Sequence, residues 1–190
     1  MAYQSVLVDA NIWVSRTLSD WMFAFYRAGD TPLFDIQWTE DILTEARYRL
    51  RKNNPAAPSR PLDFRFDHIR NALKYQRIQG YDILDQGHPD EGDWHVVNAA
   101  IHGNSTYLVT DDKTFLGLPD LDDFPFEVHT ADSFFTLIAD SSPERLRQAV
   151  EDQWNYYCEK RPGNFNLVKN LKNAQAPEFA LRVGYELQNL

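Results

Sequence analysis

Two acid-rich segments bracket the stretch from His88 to Phe115, HPDEGDWHVVNAAIHGNSTYLVTDDKTF. Asp90, Glu91 and Asp93 precede an apolar run, and Asp111-Asp112 follow Tyr107-Leu108-Val109. A further acid, Asp9, ends the apolar segment Ser5-Val6-Leu7-Val8, with Asn11 two residues on. Crowded carboxylates cannot all ionise cheaply, so a cluster of them either takes up protons or binds a cation. Taken alone, Asp9 reads equally well as a helix cap, a position that favours Asp and Asn. An acid at the carboxyl end of a first strand is also where a metal ligand would sit.

The elements that must position these acids follow from spacing. Residues 88–115 read as acidic loop, helix, turn, short buried strand and acidic loop. Asp93 shares a helical face with Val97, Ala100, Ile101 and Asn104, and Gly103 is the expected stop. Tyr107 to Val109 is rich in strand formers, which predicts a buried strand ending at Thr110. In an open α/β sheet, ligands collect beyond the carboxyl ends of the strands. The two acidic segments are therefore expected at one edge of a sheet.

Elsewhere, Ser5–Asp9 reads as a strand leading into a helix that runs from Ala10 through Tyr26. Leu33–Ile36 reads as a second strand. Thr39 is a good N-cap, and Glu40 and Asp41 favour the dipole of a helix reaching Lys52. Its apolar stripe is Ile42, Leu43, Ala46 and Leu50; Glu40 and Glu45 flank it on opposite edges, and spacing does not choose between them. The prolines of 53–61 predict a loop, and 64–77 a helix. Strands are expected at Tyr81–Leu84 and Phe126–Thr130, and a helix at Ala131–Ile138. Ser142-Pro143-Glu144 is a strong helix start for a segment ending near Glu159. Short helices around Leu167–Leu171 and Phe179–Leu187 complete the chain. Phosphate-loop, dinucleotide, serine-hydrolase and zinc-protease motifs are absent from the sequence.

At 190 residues with 43% hydrophobic content, the chain can bury a real core. No apolar run is long enough to cross a bilayer. The first residues lack the pattern of a secretory signal, and the single Cys158 forms no disulfide framework, so the expected location is cytoplasmic. Net charge is −9, but it is unevenly placed. Residues 46–77 hold nine of the 19 Lys and Arg, among them Arg65 and Arg70, against Asp63 and Asp67. Between Asp82 and Asp132 there are twelve acids against Lys113. A basic arm beside an acidic pocket suits a polyanion gripped at one place and cut at another, although two solvated helix faces would give the same counts.

Asp9 with Asn11 after the first strand, Glu45 in ILTEARYRL, Asp93 in DWHVVNAA, and Thr110-Asp111-Asp112 with Phe115 resemble the PIN-domain nucleases. Order and spacing look most like bacterial toxin ribonucleases of the VapC type. The resemblance covers about residues 5 to 138. It implies a three-layer α/β/α fold with a central, mainly parallel sheet, a nuclease domain over 1–140 and a helical C-terminal extension over 141–190. It also implies a Mg²⁺- or Mn²⁺-dependent endoribonuclease. Catalytic and metal-binding roles would fall on Asp9, Glu45, Asp93 and an acid after Thr110, with Asp111 and Asp112 both eligible. Hard oxygen donors without cysteine favour Mg²⁺ or Mn²⁺ over structural zinc. Asn11 and Thr110 would orient ligands or phosphate, and Arg65 and Arg70 would grip the RNA. A cognate antitoxin and a homodimer are further expectations from the resemblance. Asp90 reads as a helix cap near His88. The rival readings are a phosphoryl-transfer enzyme with Asp9 as nucleophile, disfavoured because Asn11 replaces the usual second acid, and a catalytically degenerate RNA- or protein-binding adaptor.

Overall fold

The computed structural model describes residues 4–119 and 121–190. Within it the chain forms two compact units. The first takes the chain up to Val14 together with Phe34–Val128; the second takes Ser15–Leu33 and His129–Leu190.

The first unit is built on strands β1 (Gln4–Val8), β2 (Phe34–Gln37), β3 (Tyr107–Val109) and β4 (Glu127–His129), in the order β2-β1-β3-β4. β1 pairs parallel with both neighbours, Val6 lying opposite Ile36 and Tyr107. The first strand is therefore central, and Val6, Leu7 and Val8 are fully buried. Burial on both faces is why this strand is a continuous apolar run rather than an alternating one. The α/β class is as expected: four parallel strands with flanking helices.

Helix α1 (Ala10–Val14) starts directly beyond β1 and stops at Ser15, whose hydroxyl accepts from the Leu18 N–H and caps α2 (Arg16–Arg27). The sequence predicted one helix here; a serine able to cap divides it in two. α3 (Glu40–Asn53) has the expected Thr39 cap, the Ile42 N–H lying 3.1 Å from Oγ1. α4 (Ser59–Ala72) begins five residues before the expected start. Pro61 is tolerated because it falls in the first turn, where no intrahelical donor is needed.

α5 (Trp94–His102) follows a short 3-10 turn at Glu91–Asp93. The helix ends at Gly103 as expected, but the left-handed residue is Asn104, with φ 47°. Gly103 is needed for a different reason: a Cβ there would lie 2.3 Å from the Ile78 side chain. The strand expected at Tyr81–Leu84 does not form. Ile83 and Leu84 are 53% and 57% exposed, so they offer no core face; instead Arg77 bridges Trp38 beside the end of β2.

In the second unit, α2 packs with α7 (Ala131–Ser141), α8 (Pro143–Lys160), α9 (Leu167–Asn173) and α10 (Pro177–Leu187). Its centre is aromatic. Phe179 sits 5.0 Å from Trp21, 5.5 Å from Phe25 and 5.2 Å from Phe135 between ring centroids. Tilted and edge-on rings at these separations add attraction beyond area burial. Asp132 accepts from the backbone N–H groups of Glu178 and Phe179, closing the start of α10. Among the described residues, no helix is long and apolar enough to cross a membrane.

Candidate active site

Asp9 lies at the carboxyl end of the central strand and is 6% exposed. Its Oδ1 accepts the Ala10 N–H at 2.6 Å. Oδ2 accepts from Asn11 Nδ2 at 2.6 Å and from the Thr110 hydroxyl at 2.7 Å. Thr110 stands just beyond β3, so this hydroxyl joins the ends of two adjacent strands. Asn11 Oδ1 in turn accepts the Asp111 N–H at 3.1 Å, and the Asp112 N–H donates to Thr110 Oγ1 at 3.0 Å. Asn11 and Thr110 thus orient Asp9 and shape the start of the 111–112 loop.

Burial pushes the Asp9 carboxyl up to about 6. The Thr110 and Ala10 hydrogen bonds oppose that rise, while the charges of Glu45 and Asp93 add to it. Burial likewise raises Asp93; the His88 charge opposes this, and Asp112, Asp90 and Glu45 reinforce it. These carboxylates, drawn from β1, α3, the turn before α5 and the loop after β3, therefore share one electrostatic neighbourhood.

Glu45 behaves differently. Its Oε1 pairs with Arg49 Nη2 at 2.5 Å on the same helix, and its Oε2 lies 3.5 Å from His95 Nε2. The His95 contact is the main cause that holds Glu45 below the ordinary glutamate range, against burial and with help from Arg49. By strict geometry His95 Nε2 makes no formed hydrogen bond, so the contact is a close approach of the ring to Glu45 Oε2. For His95 itself, burial works against protonation, but Glu45, the Gly92 carbonyl and the Asp9 charge raise its pKa. His95 is the residue that sequence reasoning missed; its place two positions after Asp93, on the helix turn facing α3, was the available signal.

The remaining sequence-derived residues are placed as follows. Asp112 caps helix α6 (Lys113–Leu116) by accepting the Thr114 N–H at 2.8 Å, and its charge acts on Asp93. Asp111 is half-buried and tied to Asn11 through its backbone. Asp90 is a cap, as read from sequence, accepting the Gly92 N–H at 2.8 Å. Arg65 donates to the carbonyls of Trp13 and Val14 at the end of α1. Arg70 is bound to Glu40 at 3.1 Å and to Asp67 at 3.1 Å. A cleft of about 310 Å³ lined by Asp35, Gln37, Tyr75, Arg77 and His102 lies at the far end of α5 and includes none of the acids above.

The donor set is carboxylate oxygen; burial is the main cause that raises Asp9 and Asp93, and the charges of neighbouring carboxylates add to it. That chemistry fits a hard divalent cation. The donors are not already drawn into a cage: among the described residues, no group of three or more His, Cys, Asp or Glu side chains is arranged to hold an ion.

A family model for the PIN domain matches residues 5–114, more than half of the chain. The chain belongs to the PIN-domain family, whose members are generally nucleases. The matched segment carries Asp9, Asn11, Glu45, Asp93, Thr110, Asp111 and Asp112. No curated protein and no solved structure matches the chain.

Proposed function

We propose that this protein is a metal-dependent endoribonuclease of the VapC toxin type, with Asp9, Glu45, Asp93 and Asp112 holding Mg²⁺ or Mn²⁺ and Asp111 beside them. The observation that carries this reading is the convergence of acids from separate elements: the charges of Glu45 and Asp93 act on Asp9, and those of Glu45 and Asp112 act on Asp93. When bound, the ion would polarise the scissile phosphate and make a water molecule acidic enough to attack it in line. The protein's own residues then have positioning roles. Asn11 and Thr110 fix the Asp9 carboxylate. Arg65 and Arg70 would exchange internal contacts for phosphate oxygens. The reading includes a nuclease domain over 1–140 with a helical extension over 141–190, a cytoplasmic location, a homodimer and an antitoxin that covers the acids.

A second reading is a PIN-like adaptor that binds RNA or protein without turnover. It is favoured by the internal pairing of Glu45 and by the lack of a preassembled cage among the described residues. Incubating the purified protein with generic RNA, with Mn²⁺ or with chelator, separates the two. Mn²⁺-dependent cleavage should fall at least about a hundredfold in Asp9→Asn and in Asp93→Asn, with the fold retained. Undiminished cleavage by either variant refutes the site, and RNA binding without any cleavage supports the adaptor.

A further inference from the structure

His95 sits on α5, and the carboxylate it faces belongs to α3. Its Nδ1 lies 2.7 Å from the Gly92 carbonyl. A carbonyl oxygen only accepts, so Nδ1 carries a proton and donates it. The ring is thereby fixed with Nε2 aimed at Glu45 Oε2, in a buried position with no hydrogen-bond partner. Arg49 holds the other Glu45 oxygen, but it rides on the same helix as Glu45 and cannot set that helix's distance from α5.

We propose that His95 is a positioning residue that fixes the Glu45 carboxylate relative to Asp93 and Asp9, and so sets the spacing of the acids for a divalent ion. The inference rests on the nuclease reading of the same site. Its physical basis is the span of the contact: Asp93 immediately precedes the helix that carries His95. One imidazole, anchored at Nδ1 on the backbone of that turn, links its acid to the acid of α3. An imidazole 3.5 Å from the carboxylate stands where the outer-sphere support of a metal ligand is ordinarily found. His88 makes a related contact, its Nε2 lying 3.7 Å from Asp93 Oδ2 while its ring packs 4.5 Å from Phe115. There Nδ1 lies near both the carbonyl and the N–H of Asp90, so the tautomer is not fixed.

The test is Mn²⁺ binding to the full-length protein without RNA, read by electron paramagnetic resonance at one pH. His95→Ala should bind about tenfold more weakly than wild type, and His95→Gln, which keeps a donor in reach of Glu45, should recover most of that loss. Wild-type affinity in His95→Ala, or an equal loss in His95→Gln, overturns the positioning role alone. A wild-type protein that binds no Mn²⁺ overturns the nuclease reading with it. Should His95→Ala fail to fold, imidazole ¹⁵N spectra of the wild type decide. Saturating Mg²⁺ should shift the His95 resonances and leave those of His68 and His129 in place, and unmoved His95 signals reject the proposal.

Discussion

The α3–α4 pair and the acid rim are both crowded with charge, but their charges are committed differently. Along the two helices, partners run in opposite directions: Glu40 with Arg70, Arg47 with Asp63, Arg51 with Ser59. Arg65 is bonded to the end of α1, and Arg77 lies over the Trp38 ring. Many cations of the basic segment are thus engaged within their own fold, Arg47 and Arg70 by carboxylates and Arg51 and Arg65 by neutral oxygens. At the rim the opposite holds: burial and neighbouring carboxylates raise both Asp9 and Asp93. Counting charges along a sequence finds both regions, but only the pairing shows which one lacks counter-ions.

The strongest way to sharpen the contrast is pH. A carboxyl whose folded pKa is raised binds its proton more tightly in the folded state than in the unfolded one. Its contribution to stability is therefore complete below about pH 4 and is lost as pH rises through about 6. For Asp9 alone the loss is on the order of 3 kcal/mol. Denaturant titrations of the metal-free protein from pH 4 to 7 should show this decline, and saturating Mn²⁺ should offset it. A flat profile in chelator would mean that burial does not hold Asp9 above the ordinary aspartate range.

A smaller effect is expected at the basic arm. Replacing Arg65 and Arg70 together by Ala should weaken RNA binding at low salt. The log–log salt dependence should become shallower by about 1.4, the value for two lost single-strand phosphate contacts. An unchanged slope would show that both arginines serve the fold alone. Smallest of all is Arg47→Ala, which removes an ion pair exposed on both sides and should cost about 0.2–1 kcal/mol in urea unfolding. A larger loss would mean that the α3–α4 contact is less screened than its exposure indicates.

Much of this was legible in the residues themselves. Thr39 announced α3, Pro143 announced α8, and Tyr107–Val109 declared a buried strand. Each of these signals is local, carried by a cap, a fixed φ or a short apolar run. The Ser15 break was not legible, because a serine inside an amphipathic pattern is compatible with either a cap or a continuous helix. Tyr81–Leu84 misled because its composition suits a strand, whereas strand formation depends on a neighbouring edge that Arg77 partly occupies. In the site, Asp9, Glu45, Asp93 and the Asp111-Asp112 pair were named through a family resemblance, while spacing alone left Glu40 against Glu45 and Asp111 against Asp112 open. Their electrostatic neighbour His95 was not legible, since its role depends on the distance between α3 and α5, which no residue pattern reports.

The second unit is assembled from two distant stretches of the chain, and this has a consequence for synthesis. Trp21 and Phe25 leave the ribosome about 150 residues before Phe179, the ring that meets them both. At typical elongation rates the wait is roughly ten to thirty seconds. Throughout that interval an apolar face of α2 has no finished partner and is open to chaperones or to self-association. A gene product cut short after α7 would keep every acid of the rim and still leave that face without Phe179.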